Sequence, residues 1–339
     1  MPDIIDLGPD DIIESNGFYR CPISLHHGQP CMSRERLAEI QKGDPITPDD
    51  QISVTSGVLR TMELATPADV WAFSLLNPDR YERPETAALR MGRAMAAYVE
   101  GGMDEVKEHF TILPEDKPRK PTAAQIEAYD ENRATEAGKK SVEFWRRIDA
   151  SPNAPLSDAE AKLIQDMGAA LARDPGAVAV MGGEPEVTMA VRDERTGLWL
   201  LARPDTVSFD GMASDFKKMN TQGRPFNHRL VDQRITQHGY PQQMAFAADA
   251  FEALTGDQPG VVVIVAQCDS PPYHVILREI LDEDLRIASF QNRRAIDRFA
   301  ECLASRDFPG PGADTSYYQR PEWQRTMLLE EMNISGTSP

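Results

Sequence analysis

Met244, Ala247, Ala248, Phe251 and Leu254 recur at spacings of three and four, which is one face of a helix. With Pro241 in the first turn and Gly256 just past the end, they predict a helix over 241–254. Residues 261–266 are apolar at every position and predict a buried strand, and 273–280 predict another. A last long helix is expected over 285–304. Upstream, Ser157 followed three residues later by Glu160 is a capping box that opens a helix running to about residue 173, where Asp174-Pro175-Gly176 stops it. Residues 51–110 read as mainly helical, 114–120 as a charged linker, and 123–148 as one polar helix able to wall a groove.

Between 187 and 218 the periodicity shortens to that of strands. Residues 187–192 and 197–202 flank turn residues 193–196, and 207–209 and 213–218 flank Asp210-Gly211, a strong hairpin signal. Strands, then a helix, then strands imply an α/β fold with a mixed central β-sheet flanked by helices. Residues 1–50, rich in Pro and Asp with weak periodicity, read as an irregular arm. After the Pro309-Gly310-Pro311-Gly312 break, Tyr317, Tyr318 and Trp323 are expected to dock back on the domain, with 333–339 disordered.

The chemistry concentrates at Arg203-Pro204-Asp205 and Asp215-Phe216-Lys217. Two converging carboxylates suit Mg2+, which prefers hard oxygen ligands, with Mn2+ able to substitute. A lysine beside them suits phosphodiester hydrolysis, because an ammonium can orient water and offset charge developing on phosphorus. Asp215 and Lys217 share a strand face in any register. Asp205 joins them only if the turn is longer than two residues or bulged; a three-residue turn over 210–212 would set Asp205 opposite Lys217. Glu184 and Glu186, at the head of the first strand, offer a further carboxylate, as a metal ligand or as a solvated strand end.

The run Glu186-Val187-Thr188, Thr196-Gly197-Leu198, Ala202-Arg203-Pro204-Asp205 and Asp215-Phe216-Lys217 resembles the PD-(D/E)xK nucleases, specifically the phage and prophage exonuclease VIII (RecE-like) branch. Upstream, 53–59, 65–71 and 88–95 resemble that family's N-terminal helices, and Tyr240 to Gln243 resembles its glutamine motif. The resemblance spans roughly residues 50–305. It implies a restriction-endonuclease-like core with an N-terminal helical elaboration, dividing the chain into an arm over 1–50, an exonuclease domain over 51–307 (helical part 51–175, catalytic core 176–307) and a tail over 308–339. It implies that Asp205, Asp215 and the Phe216 carbonyl ligate metal, that Lys217 positions the attacking water, and that Glu186 completes the acidic set. It also implies that Gln243 supports the site or touches DNA, and that Ser56 holds a terminal 5'-phosphate at a helix N-terminus. Two positions depart from the pattern: Ala96 stands where many relatives carry a histidine ligand, and Phe246 and Ala247 stand where a tyrosine usually follows the glutamine. The expected activity is a Mg2+-dependent exodeoxyribonuclease on linear duplex ends, running 5' to 3' in phage-type recombination. A single-strand annealing protein and a homo-oligomeric ring are the implied partners. An endonuclease of the same superfamily and a catalytically inactive DNA-binding or inhibitory protein are the alternatives.

Composition changes this picture in one respect. The 339 residues, 41% hydrophobic and 27% charged, are those of an ordinary globular protein. No apolar run is long enough to span a membrane and no signal peptide opens the chain, so a cytoplasmic, membrane-free protein is expected. The formal net charge of -18 opposes DNA binding, whereas nucleic-acid binders usually carry a basic footprint. Locally the balance reverses: from Lys217 to His238 stand Lys217, Lys218, Arg224, Arg229 and Arg234 against one acid, Asp232. A focused basic cleft can track a phosphate backbone under an acidic exterior, which makes Lys218, Arg224 and Arg229 candidate DNA contacts. The acidic exterior also suits a DNA-mimicking inhibitor, against which the D-x-K hairpin argues. Cys21, Cys31, Cys268 and Cys302 are too scattered for an iron-sulfur cluster or a zinc site, and are expected as reduced thiols.

Overall fold

The computed structural model describes residues 2–82, 86–312 and 318–335. The strands among them are β1 (Ile4–Asp6), β2 (Gly17–Arg20), β3 (Ser53–Thr55), β4 (Phe110–Leu113), β5 (Ala154–Ser157), β6 (Glu184–Pro185), β7 (Val187–Arg192), β8 (Trp199–Ala202), β9 (Thr206–Ser208), β10 (Met212–Met219), β11 (Val261–Cys268) and β12 (Val275–Glu279). They form two mixed five-stranded sheets, ordered β1-β2-β7-β8-β3 and β12-β11-β10-β9-β6, beside the small parallel pair β4-β5. The fold is α/β with mixed sheets flanked by helices, as expected, but the expected single sheet is divided in two.

The division arises within one hairpin. β6 and β9 pair in the second sheet, while β7 and β8, their direct continuations, pair in the first. On one strand Glu186 takes a left-handed φ of 53° between β6 and β7. On the other, Arg203-Pro204-Asp205 separates β8 from β9, and Pro204 has no N–H to offer a ladder. Both arms therefore leave one sheet and enter the other at the same level.

Two helices hold the first sheet from one side. Helix Tyr240–Thr255 begins after Gly239 and ends at Gly256, both left-handed, and helix Asp282–Ser305 packs along it. Phe246, Phe251, Ile296 and Phe299 from these helices join Phe18, Val54, Val187 and Met189 of the sheet and Leu59 and Met62 of helix Ser56–Leu64. Each fully buried large apolar side chain contributes about 1.5–3 kcal/mol over leaving it exposed. The second sheet is backed by helix Asp158–Ala172, whose Ile164 and Met167 meet Val263 and Val265 of β11. Its cap is the expected box: Ser157 accepts from the Glu160 amide, and the Glu160 carboxylate accepts from the Ser157 amide at 2.8 Å.

Three segments differ from expectation. Residues 1–50 are no irregular arm: β1 and β2 build into the first sheet, and Ile13, Phe18 and Tyr19 are buried. Residues 123–148 form two helices, Ala123–Asp130 and Glu136–Asp149, because Asn132 adopts φ 56° and Thr135 caps the second. In the tail, Phe308 stacks on Trp71 at 4.2 Å, but Tyr318 and Trp323 are exposed and Trp323 starts within a further helix, Glu322–Ser335. Tyr317 and residues 336–339 lie outside the described residues. No helix among the described residues is long and apolar enough to cross a membrane.

Candidate active site

The hairpin turn is three residues long, as a shared face for the acids required, but it is Phe209-Asp210-Gly211 rather than 210–212. Met212 pairs with Ser208, Ala213 with Val207 and Ser214 with Thr206. Gly211, at φ 98°, closes the turn with its amide on the Ser208 carbonyl at 3.0 Å, a conformation few other residues adopt. One step further in this register sets Asp205 beside Asp215, not beside Lys217. The ladder stops at Ser214, and the Asp205 carboxylate takes over: its Oδ2 accepts the Phe216 amide at 2.6 Å. N–H and C=O of one strand residue point to the same edge, so the Phe216 carbonyl faces the Asp205 side too.

Asp215 is 1% exposed in the middle of β10. Gln243, on helix Tyr240–Thr255, donates from Nε2 to its Oδ1 at 2.7 Å, and the Lys217 ammonium is in ion-pair contact with Oδ2. Lys217 Nζ also lies 5.1 Å from the centre of the Tyr240 ring. Glu186 adjoins the pair through its backbone, its amide donating to the Asp205 carbonyl at 3.0 Å. Its side chain is engaged by Arg203, whose Nε donates to Oε2 at 2.6 Å while Nη1 donates to the Cys21 carbonyl at 2.8 Å. The N-terminal segment thus braces the site from behind.

Electrostatics follow from two buried acids sharing one ammonium. Burial, and then the neighbouring Asp215 carboxylate, push Asp205 up to about 8 against the pull of Lys217. Burial works to lower the Lys217 pKa, but Asp215 and Asp205 outweigh it and hold the ammonium above its ordinary value. Lys217 is therefore a proton donor and charge partner, not a base, near neutral pH. Burial also raises the Tyr240 phenol.

The donor set fits a divalent cation. Asp205 and Asp215 present hard oxygens, and the Asp205 acid is raised by burial first and by the neighbouring Asp215 carboxylate second, both of which a bound cation would offset. Among the described residues no group of three or more His, Cys, Asp or Glu side chains is gathered to hold a metal, Glu186 being engaged by Arg203. Two carboxylates and a carbonyl are what the cluster offers.

The structure thus brings together Glu186, Asp205, Asp215, Phe216, Lys217 and Gln243. It does not bring Lys218, which lies on the opposite strand face and pairs with Asp269 at 3.2 Å. Arg224, before helix His228–Gln237, and Arg229, on it, are exposed, with Arg224 contacting Gln233. Ser56 opens helix Ser56–Leu64 with no hydrogen bond to the acids among the described residues. Beside that helix end, a separate cavity of about 320 Å³ is lined by His26, His27, Ser53, Thr55 and Thr61, without a carboxylate. All four cysteines are free and buried. Sequence reading missed the roles of Arg203 and Tyr240. The signals were the position of Arg203 beside the acid motif and that of Tyr240 at the head of the stretch resembling the glutamine motif.

The family described as "PDDEXK-like domain of unknown function (DUF3799)" matches residues 70–321, which contain every acid of the cluster, Lys217 and Gln243. Among solved structures, a "putative exonuclease" from Eubacterium rectale is similar at 14% identity and a TM-score of 0.54, covering 85% of this chain and 93% of that one; the likeness is one of fold. No curated protein matches the chain.

Proposed function

The chain belongs to this PDDEXK-like family, and from that premise we propose that it is a divalent-metal-dependent deoxyribonuclease, an exonuclease acting on the ends of linear duplex DNA. The observation that carries the reading is the contact set around Asp215: a buried carboxylate beside Asp205, held by Gln243 and paired with Lys217.

Asp205, Asp215 and the Phe216 carbonyl would hold Mg2+ or Mn2+, which when bound polarises a phosphodiester and makes water a better nucleophile. Lys217 remains an ammonium, orients the attacking water and offsets negative charge that builds on the phosphate. Gln243 fixes the direction of the Asp215 carboxylate, and the Phe216 amide fixes that of Asp205. Glu186, steadied by Arg203, adds negative potential to the acidic side and keeps Asp205 in place through its backbone. The finer reading is digestion from 5' ends in phage-type recombination, by a ring of identical subunits beside an annealing protein. It rests on the resemblance of residues 50–305 to RecE-like enzymes.

Digestion of 5'-phosphorylated linear duplex and of closed circular DNA with Mg2+ or Mn2+ tests this. Loss of linear DNA alone, abolished in Asp215→Ala and Lys217→Ala, is the expected result. Cutting of closed circles makes the enzyme an endonuclease, and no cleavage by folded wild type leaves a binding or inhibitory protein.

A further inference from the structure

Three cations at or next to the acid cluster already have anions among the described residues. Lys217 is paired with Asp215, Lys218 with Asp269 and Arg203 with Glu186. Arg60, on helix Ser56–Leu64, has no carboxylate partner among the described residues. Glu63, the nearest acid along its helix, is committed to Arg294.

Arg60 is nonetheless held at the cluster. Its Nη1 donates to the His238 carbonyl at 3.2 Å, and its guanidinium carbon lies 5.9 Å from the centre of the Tyr240 ring that Lys217 also approaches. Its stem runs beside Gly239: a Cβ built there would meet Arg60 Cδ at 3.5 Å, an ordinary van der Waals contact. Asp215 acts on it through space. Its Nε is buried and meets no acceptor. A guanidinium held by one carbonyl and one ring, with an unused donor and no carboxylate in contact among the described residues, has capacity for an anion.

We propose that Arg60 binds a non-bridging phosphate oxygen of the nucleic-acid backbone, sharing the Tyr240 ring with Lys217. The proposal rests on the nuclease reading above and adds to it a substrate-holding residue that lies outside the stretch matched by the family. Lys217, tied to Asp215, serves the reacting centre; Arg60, untied, grips the strand. The planar fork of arginine suits phosphate in a way that an ammonium does not.

Wild type, Arg60→Ala and Arg60→Lys are compared by titrating 5'-phosphorylated linear duplex in Ca2+, by Mn2+ titration without DNA, and by steady-state cleavage in Mg2+. The expected result for Arg60→Ala is a loss of duplex affinity of roughly tenfold or more, the size of one charge-assisted contact. KM should rise correspondingly, with Mn2+ binding and melting temperature unchanged, and Arg60→Lys should recover only part of the affinity. Unchanged duplex affinity in Arg60→Ala overturns the proposal, and so does a parallel loss of Mn2+ binding, which would make Arg60 a scaffold for Asp215. A wild type that neither binds nor cuts duplex overturns the nuclease reading itself, whatever the variants do.

Discussion

Gln243 donates to Asp215 across 2.7 Å, from a helix of one element to the centre of a strand twenty-eight residues earlier. The contact joins the helix that packs the first sheet to the acid that belongs to the second. The Gln243 Oε1 is buried without a partner, so the carboxamide is held at one end only.

Gln243→Ala should lower cleavage by about 10–100-fold, the usual effect of removing a group that orients a ligand. Gln243→Glu should be worse, since it sets a third carboxylate against a buried pair. Rates on linear duplex measure both, and a Gln243→Glu enzyme as fast as wild type would remove Gln243 from the site.

The proposed metal binding at Asp205 should depend on pH. The folded pKa of Asp205, about 8, lies above the ordinary carboxylate value, so its contribution to stability is full at low pH and is lost as pH rises through about 8. A metal at this acid must displace the proton below that point. Mn2+ affinity should therefore climb up to about pH 8 and then level, with proton release visible by calorimetry in buffers of different ionisation heat. Affinity that does not change over roughly pH 6 to 8 would show that the metal avoids Asp205.

Gly183 is a point where the backbone cannot give. A Cβ there would stand 2.5 Å from the Val207 carbonyl oxygen and 2.7 Å from its carbon, both in β9. Gly183→Ala should displace β9, and with it Asp205, costing about 1–3 kcal/mol in urea denaturation and lowering cleavage besides. Unaltered stability would mean that β9 yields freely.

The candidate site was legible in sequence where chemistry and local pattern coincide. Asp215 and Lys217 needed only strand alternation, Asp205 also a turn longer than two residues, and Gln243 was reached only through the resemblance to the family's glutamine motif. The register was off by a step because Phe209-Asp210-Gly211 and 210–212 both place glycine in a three-residue turn; the pairing of Ser208 with Met212 decides between them. β1 and β2 were invisible because they are three and four residues long, and β2 is specified by its distant partner β7. The split of the sheet was hidden for a related reason: Glu186 is not a residue type that announces a left-handed conformation.

Asp249 offers a test away from the cleft. Asp249 is exposed by residue, yet the chain packed around its carboxyl pushes the acid up to about 6 by desolvation, against a hydrogen bond of 2.8 Å from Ser289 on the adjoining helix. With a raised folded pKa, its favourable contribution is present at low pH and fades as pH rises through about 6. Asp249→Asn should gain melting temperature relative to wild type at pH 8 compared with pH 5, by thermal scans at both values. An equal difference at the two pH values would place the carboxylate in water.

The hairpin that passes from one sheet to the other has a mechanical meaning. The rung from the Glu186 amide to the Asp205 carbonyl stands where both arms cross, so a displacement of either sheet is felt by the other through it. The acids of the second sheet are thereby tied to the first at the point where the two arms of the hairpin change sheets.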